Sequence, residues 1–260
     1  MNEAVIAPNP DLVRPGQPAD VRPAAGPLPN DHPPVVKPQV GALLINLGTP
    51  SGTDYLSMRR YLNEFLSDPR VIELPRWIWL PLLRLVILSK RPQRSGEAYA
   101  AIWNKEKDES PLRTFTRAQA EKLQERLSKS GIAVEWGMRY GEPSIAESLE
   151  RLQERGCRRI VLMALYPQYS ASTMATAYDK AFDALKTMRW QPAIRTMPPY
   201  HDHAGFVRLI ARSIDRHLAS LAQQPDKVVM SFHGLPRDYL LRGDPYHCHC
   251  QKTARLVQEE

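Results

Sequence analysis

The sequence is short of cysteine and has no long apolar run. Three of its 260 residues are cysteines, Cys157, Cys248 and Cys250. Because the count is odd and two of them are two residues apart, a disulfide framework is excluded and a reducing compartment is predicted. The longest nearly apolar stretch, residues 77–88, has 12 residues, against the roughly 20 that a membrane-spanning helix needs. The N-terminus has no apolar signal core, so we expect no secretion.

Three glycine-rich fingerprints are also missing. No G-x-G-x-x-G follows an apolar run, and neither a G-x-x-x-x-G-K-[ST] loop nor a G-x-S-x-G elbow occurs. A dinucleotide site, a P-loop and a serine hydrolase therefore lose their main support.

Proline is concentrated at one end of the chain. Ten of the 24 prolines fall in residues 1–38, which carry a charge of −1, whereas the whole chain carries +7. This composition predicts a disordered, partly polyproline-II tail. We expect a first domain over residues 39–200 and the beginning of a second over residues 201–260.

Apolar runs alternate with amphipathic helical patterns in the body of the chain. Strands are predicted at residues 40–47, 133–138, 159–166, 193–197 and 227–232. Helices are predicted at residues 113–129, 144–154, 173–188 and 204–223. This alternation predicts an α/β fold with doubly wound parallel sheets. Since the last helical pattern, residues 251–260, has no stop signal, we expect a truncated sequence whose second domain is incomplete.

In doubly wound sheets, ligands bind at the carboxyl ends of the strands. His233 directly follows the last predicted strand, so its imidazole is expected to face a cleft, where it could accept a proton or bind a metal. A histidine that only stabilises a strand end is the alternative. Residues 247–250, His-Cys-His-Cys, include ligand types for zinc, but they have no second pair, which disfavours a zinc site.

Residues 76–94, here called the lip, contain five basic residues, two tryptophans and no acid. Such a segment suits a membrane interface or the rim of a pocket for a flat, apolar, anionic ligand. An ordinary core helix with a basic end is the alternative. Nucleic-acid binding is disfavoured because the basic residues are grouped with aliphatic side chains.

Several ordered motifs resemble those of the ferrochelatase family, whose members insert ferrous iron into protoporphyrin IX. The resemblance extends from about residue 40 to residue 260. It is carried by INLGTP (45–50), YLNEFLSDPRVIELP (61–75), the lip, SPL (110–112), GMRYGEP (137–143), YPQYS (166–170), SFHGLP (231–236) and RGDPY (242–246).

The resemblance implies a set of site residues. His233 corresponds to the cleft histidine that contacts the metal or accepts pyrrole protons. Residues implied to bind the porphyrin are Asn46, Leu47, Thr49, Pro50, Lys90, Ser110, Arg139, Tyr140, Tyr166, Gln168 and Tyr169. It also implies two Rossmann-like domains that face one porphyrin cleft.

The resemblance also implies partners and a location. Protoporphyrin IX and Fe²⁺ are the expected substrates, and no permanently bound cofactor, iron–sulfur cluster or nucleic acid is expected. The expected location is the cytoplasm, with a peripheral contact to the inner membrane. A glutamate that pairs with the cleft histidine in the family would lie beyond Glu260, so we expect the activity of this chain alone to be impaired. A chelatase for coproporphyrin or sirohydrochlorin and a non-catalytic porphyrin-binding remnant are the alternatives.

Overall fold

Four strands form one parallel sheet. This computed structural model describes residues 37–260. The strands are β1 (Gln39–Gly48), β2 (Ile132–Tyr140), β3 (Cys157–Ala164) and β4 (Ala193–Thr196). Their order is β2-β1-β3-β4, and every neighbouring pair is parallel. The winding direction reverses between β1 and β3, which marks the place where such sheets bind ligands.

Helices cover both faces of this sheet. They are α1 (Tyr55–Leu66), α2 (Arg76–Leu82), α3 (Leu88–Ile102), α4 (Pro111–Leu127), α5 (Ile145–Glu154), α6 (Thr176–Thr187), α7 (Ala204–Ala219), α8 (Arg237–Leu241) and α9 (Tyr246–Glu259). Leu43 and Ile45 of β1 pack beneath α5 and α6, whereas Ala42 and Leu44 pack beneath α4. Because both faces of β1 are buried, its sequence is a continuous apolar run. The predicted α/β class is confirmed.

The predicted strand at residues 227–232 is wrong. The segment has no regular secondary structure, and Val228 and Val229 are 52% and 86% exposed. An isolated apolar run becomes a strand only when a neighbouring strand satisfies its backbone groups, and no strand of residues 37–260 pairs with this one. A second domain stays a prediction. The predicted tail, residues 1–38, lies outside the described residues except for its last two.

The loops after β1 and β2 interlock at the carboxyl edge of the sheet. Gly48 has φ +110°, and a β-carbon there would lie 1.8 Å from the carbonyl oxygen of Tyr140. Gly141 has φ +83°, and a β-carbon there would lie 2.6 Å from the carbonyl oxygen of Thr49. Only glycine fits either position. The two loops can therefore approach closely enough to form one rigid edge.

The lip folds as α2, a π-helical turn (Leu83–Ile87) and the start of α3. Trp79, Leu83 and Leu88 are all buried, although Leu88 follows Leu83 by five residues rather than four. The wider π turn absorbs the extra residue and keeps both leucines in the core. The opposite side of the lip exposes Trp77, Ile78, Leu82, Leu85 and Val86. The segment thus belongs to the core on one side only.

Candidate functional site

A cavity of about 400 Å³ lies at the carboxyl edge, next to the β1–β3 reversal. One wall is apolar and is formed by Leu47, Phe65, Leu66, Val71 and Ile72. The remaining lining is mostly polar or aromatic and consists of Arg91, Ser170, Ser172, Thr173, Tyr239, Tyr246 and the His-Gly-Leu-Pro segment at residues 233–236. The cavity can hold a flat apolar ligand whose edge carries negative charge, because Arg91 is the single charged lining residue from the described part of the chain.

His233 lines the same cavity. Its side chain is exposed, and its Nδ1 lies 2.7 Å from the carbonyl oxygen of Gly234. Since a carbonyl only accepts hydrogen bonds, Nδ1 carries the proton of the neutral ring. The lone pair of Nε2 is therefore left to accept a proton or bind a metal. A loop, rather than the end of a strand, presents this imidazole.

Asp244 attaches the turn between α8 and α9 to the loop after β3. One carboxylate oxygen accepts hydrogen bonds from the Ser170 hydroxyl (2.9 Å) and the Ala171 amide (2.8 Å). The other oxygen accepts from the Tyr246 amide at 3.0 Å. Arg242 adds an ion pair with Glu73. These contacts hold the two walls of the cavity together. In the sequence, Arg242 and Asp244 are noticeable only as part of the RGDPY motif.

A buried polar cluster lies behind the apolar wall and centres on Asp68. Its carboxylate accepts hydrogen bonds from Tyr140 (2.8 Å), Thr176, Arg139 and the Arg70 amide (2.8 Å). Burial alone would raise the pKa of Asp68, but these donors and the Arg139 charge outweigh it, and the pKa is lowered from 3.8. Asp68 therefore stays ionised and fixes the Arg139 and Tyr140 side chains.

Aromatic packing connects this cluster to the cavity. The Phe65 ring, which lines the cavity, meets the fully buried Tyr140 ring edge-on with centroids 5.1 Å apart. The guanidinium carbon of Arg139 lies 4.3 Å from the same Tyr140 ring. Burial raises the pKa of Tyr140 and of Tyr166. Both phenols are therefore neutral, and the Tyr166 hydroxyl has no hydrogen-bond partner within residues 37–260.

The other residues singled out from the sequence lie at several places. Leu47 and His233 line the cavity, whereas Lys90 is exposed beside Arg91, which does line it. Asn46 donates to the Thr116 hydroxyl at 2.9 Å on α4, and Ser110 caps the first turn of that helix. Thr49 and Pro50 are buried in the interlocked edge, where the Thr49 hydroxyl finds no partner in the described chain.

Gln168 and Tyr169 contact the beginning of α9. Gln168 donates to the Thr253 hydroxyl at 3.0 Å, and the Tyr169 amide donates to Nδ1 of His249 at 3.2 Å. The His249 ring stacks on the buried His201 ring with centroids 3.6 Å apart. These residues attach α9 to the loop after β3.

Sequence reasoning missed several lining residues. Phe65, Val71 and Ile72 belong to the YLNEFLSDPRVIELP motif, but their apolar side chains cannot be distinguished from core residues in a single sequence. Tyr239 and Tyr246 lie after His233 on short helices. Asp68, which lies behind the lining, gives no signal in the sequence, because an Asp-Pro pair directly after a helix is ordinarily an exposed turn.

Metal-ligating side chains are dispersed in the structure. Among residues 37–260, no three or more His, Cys, Asp or Glu side chains converge in a way that could hold a metal ion. Cys157 and Cys250 are buried, whereas Cys248 is exposed. The disfavoured zinc site at residues 247–250 is therefore not formed by the described residues.

The His201–His249 stack predicts a pH-dependent stability. Burial lowers the pKa of both rings from 6.5, and in each case the nearby charge of Lys252 lowers it further while Asp202 opposes. Protonation of His249 at Nδ1 also removes the acceptor of the Tyr169 amide. When folding lowers the pKa of a base, the contribution of that base to the free energy of unfolding is complete above the pKa it has in the unfolded chain. This contribution is lost as the pH falls toward the pKa it has in the folded protein.

We therefore expect the melting temperature to fall as the pH is lowered below about 6.5, the ordinary pKa of histidine. The His249→Gln variant should lose part of that dependence. The His217→Gln variant changes an exposed histidine of α7 and should behave as the unmodified protein. Equal pH dependence in all three proteins, measured by differential scanning calorimetry, would show that the stack does not titrate with folding.

Comparison with known proteins identifies the family. A family model described as Ferrochelatase matches residues 39–260. The chain belongs to the ferrochelatase family. A ferrochelatase of Rhizobium etli (strain CIAT 652) is 57% identical over 232 residues, which are 89% of this chain and 67% of that protein. A ferrochelatase of Agrobacterium fabrum is 55% identical over 233 residues, which are 89% of this chain and 68% of that protein.

The chain thus spans about two thirds of the length of the curated relatives it matches. Ferrochelatases are lyases of haem biosynthesis, and the predicted family and enzyme class are confirmed. The matched region contains the whole lining of the cavity, from Leu47 to Tyr246.

Proposed function

We propose that this ferrochelatase inserts Fe²⁺ into protoporphyrin IX in the cavity between the apolar wall and His233. The observation that carries the proposal is that an imidazole whose Nε2 is left free lines the same cavity as Leu47 and Phe65. A porphyrin lying against the apolar wall would present its central nitrogens toward this imidazole. The iron is a substrate, and we expect no resident cofactor and no iron–sulfur cluster.

Metal insertion needs a base near the centre of the ring. The free porphyrin carries two N–H protons, and both leave as one Fe²⁺ forms bonds to the four nitrogens. In the proposed mechanism, Nε2 of neutral His233 accepts one of these protons and passes it to solvent, since the side chain is exposed. The apolar wall excludes water from one ring face and positions the macrocycle. Once Nε2 has passed the first proton to solvent, it can accept the second proton and release it in the same way, so both protons are accounted for.

The charge of the cavity favours protoporphyrin over more acidic tetrapyrroles. Arg91 is the one charged residue among the lining residues of the described chain, and Lys90 is exposed beside it. Two neighbouring cations can pair with the two propionates of protoporphyrin. Coproporphyrin and sirohydrochlorin carry more carboxylates, and the apolar wall would leave the additional ones without partners.

The test compares substrates. Zn²⁺ or Fe²⁺ is added to the protein with protoporphyrin or with coproporphyrin, and insertion is followed by the absorbance change. We expect the specificity constant to be at least about tenfold higher for protoporphyrin, which corresponds to about 1.4 kcal/mol. A preference for coproporphyrin would overturn the substrate assignment. Tight porphyrin binding with no insertion of either metal would instead support a non-catalytic binding protein.

We also propose that the lip touches the membrane surface from the cytoplasmic side. No helix of residues 37–260 has the length and apolar character for a membrane span. The five exposed apolar side chains of the lip lie next to Arg84, Lys90 and Arg91, a pattern that suits the interface between headgroups and acyl chains. A surface contact there would let an apolar tetrapyrrole pass between membrane and cavity without crossing water. Nucleic acid is not an expected partner.

A further inference from the structure

A second hollow, of about 540 Å³, lies outside the porphyrin cavity, between α1 and the π turn of the lip. Its lining consists of Leu56, Arg59, Arg60, Asn63 and Arg84. Three guanidinium groups and one amide therefore surround a single concave surface, and no acidic residue lines it. Neither the metal chemistry nor the proposed porphyrin binding uses these side chains.

The three arginines lack carboxylate partners. Among residues 37–260, no Asp or Glu oxygen lies within 4.0 Å of the guanidinium nitrogens of Arg59, Arg60 or Arg84, and their side chains form no hydrogen bond. Other arginines of the protein are paired, such as Arg117 with Glu109 and Arg242 with Glu73. Like charges collected in one hollow repel each other, so an anion bound there would be strongly favoured.

The chemistry of the donors indicates which anion fits. Guanidinium groups present planar pairs of N–H donors that match the oxygens of a phosphate, and Asn63 adds an amide donor. Three positive charges around one hollow suit a phosphate better than a single carboxylate. The hollow is therefore a site for a phosphate ester.

Apolar side chains at the edge of the hollow indicate the source of that phosphate. Leu56 is 65% exposed, and Leu85 and Val86, which directly follow Arg84, are 76% and 57% exposed. The π turn places these two residues on the outer side of the lip because it keeps Leu83 and Leu88 in the core. A soluble phosphate compound has no apolar group that could contact this border, whereas a phospholipid has acyl chains directly below its phosphate.

We propose that Arg59, Arg60 and Arg84 bind the phosphate of an anionic phospholipid headgroup, while Leu85 and Val86 insert among its acyl chains. This inference rests on the membrane contact proposed for the lip and adds to it a specific lipid class and a site. The bound headgroup would hold the mouth of the porphyrin cavity at the bilayer surface.

The test measures binding to vesicles by flotation. The protein is mixed with phosphatidylcholine vesicles that contain one third phosphatidylglycerol or none, at constant ionic strength. The Arg59→Gln/Arg60→Gln/Arg84→Gln variant is compared with the Arg208→Gln/Arg212→Gln/Arg216→Gln variant, which removes the same charge from exposed positions of α7. Circular dichroism checks that both variants fold.

We expect the first variant to bind the phosphatidylglycerol vesicles roughly 10- to 100-fold more weakly, since each basic residue at an anionic surface contributes about a factor of five. The α7 variant should change by less than about threefold, and Arg→Lys replacements at the three hollow positions should restore part of the binding.

Four outcomes would overturn the inference. Equal loss in both variants would mean that net charge, rather than the hollow, determines lipid binding. Binding of inorganic phosphate in the hollow, together with equal binding of the protein to vesicles with and without phosphatidylglycerol, would assign the hollow to a soluble phosphate compound. Failure of the unmodified protein to bind any vesicle would reject the membrane contact itself. If a Trp77→Ser/Leu85→Ser variant lost binding to vesicles while the arginine variant did not, the result would support the membrane contact of the lip and reject the headgroup site.

Discussion

Replacement of His233 by Ala should slow metal insertion at least about 100-fold, the lower end of what a positioned general base contributes. Affinity for protoporphyrin should change less than about threefold, because the apolar wall of Leu47 and Phe65 remains. The reason is the lone pair of Nε2, which the Nδ1 hydrogen bond to the Gly234 carbonyl leaves directed away from the backbone. Stopped-flow absorbance with Zn²⁺ gives the rate, and porphyrin fluorescence titration gives the affinity.

The matched control is His217→Ala, since His217 is an exposed histidine on α7 and lies outside the cavity lining. It should insert metal at the unmodified rate. If His233→Ala retained a normal rate, the imidazole would be a lining residue without a catalytic role. If porphyrin affinity were lost together with the rate, His233 would act in binding, and the proposed proton transfer would be rejected.

Replacement of Asp68 by Ala should destabilise the protein by about 3–5 kcal/mol, the usual cost of removing one partner from a buried ion pair. The Asp68 side chain is 3% exposed and accepts from the charged group of Arg139 as well as from Tyr140. Without it, a buried guanidinium and a buried phenol lose their acceptor. At about 2–4 °C per kcal/mol, the melting temperature should fall by roughly 10 °C.

Glu64→Gln is the control for the Asp68 prediction. The Glu64 carboxylate lies 3.9 Å from the same Arg139 guanidinium but is 41% exposed. Exposed ion pairs contribute about 0–1 kcal/mol, so the melting temperature should change by no more than a few degrees. Similar melting temperatures for Asp68→Ala and the unmodified protein, measured by calorimetry, would mean that water replaces the carboxylate and that the cluster is not essential to the fold.

The sheet could be predicted from the sequence because the hydrophobicity of each strand indicates how deeply that strand is buried. The apolar run of β1 predicts a strand buried on both faces, and the structure contains it at Gln39–Gly48. The positions of β2, β3 and β4 were predicted within a few residues. The run at residues 227–232 is also mostly apolar, but a strand needs a partner, and composition carries no information about partners.

The site was harder to predict because it is assembled from distant segments. Leu47 and His233 were identified as site residues from motifs, and the structure places both in one cavity. Arg91, rather than the neighbouring Lys90, lines that cavity, since the π turn changes which side of the helix faces inward. A regular helical period extended through residues 83–87 would give the wrong face for every later residue of the lip.

The hydrogen bonds of Asp244 determine the width of the cleft. One oxygen of its carboxylate accepts hydrogen bonds from the Ser170 hydroxyl and the Ala171 amide, and the other accepts from the Tyr246 amide. This one side chain therefore acts as a spacer of fixed length between two walls of the cleft. The width of the cleft into which a flat macrocycle would fit is therefore set by this spacer and not by the detailed packing around it.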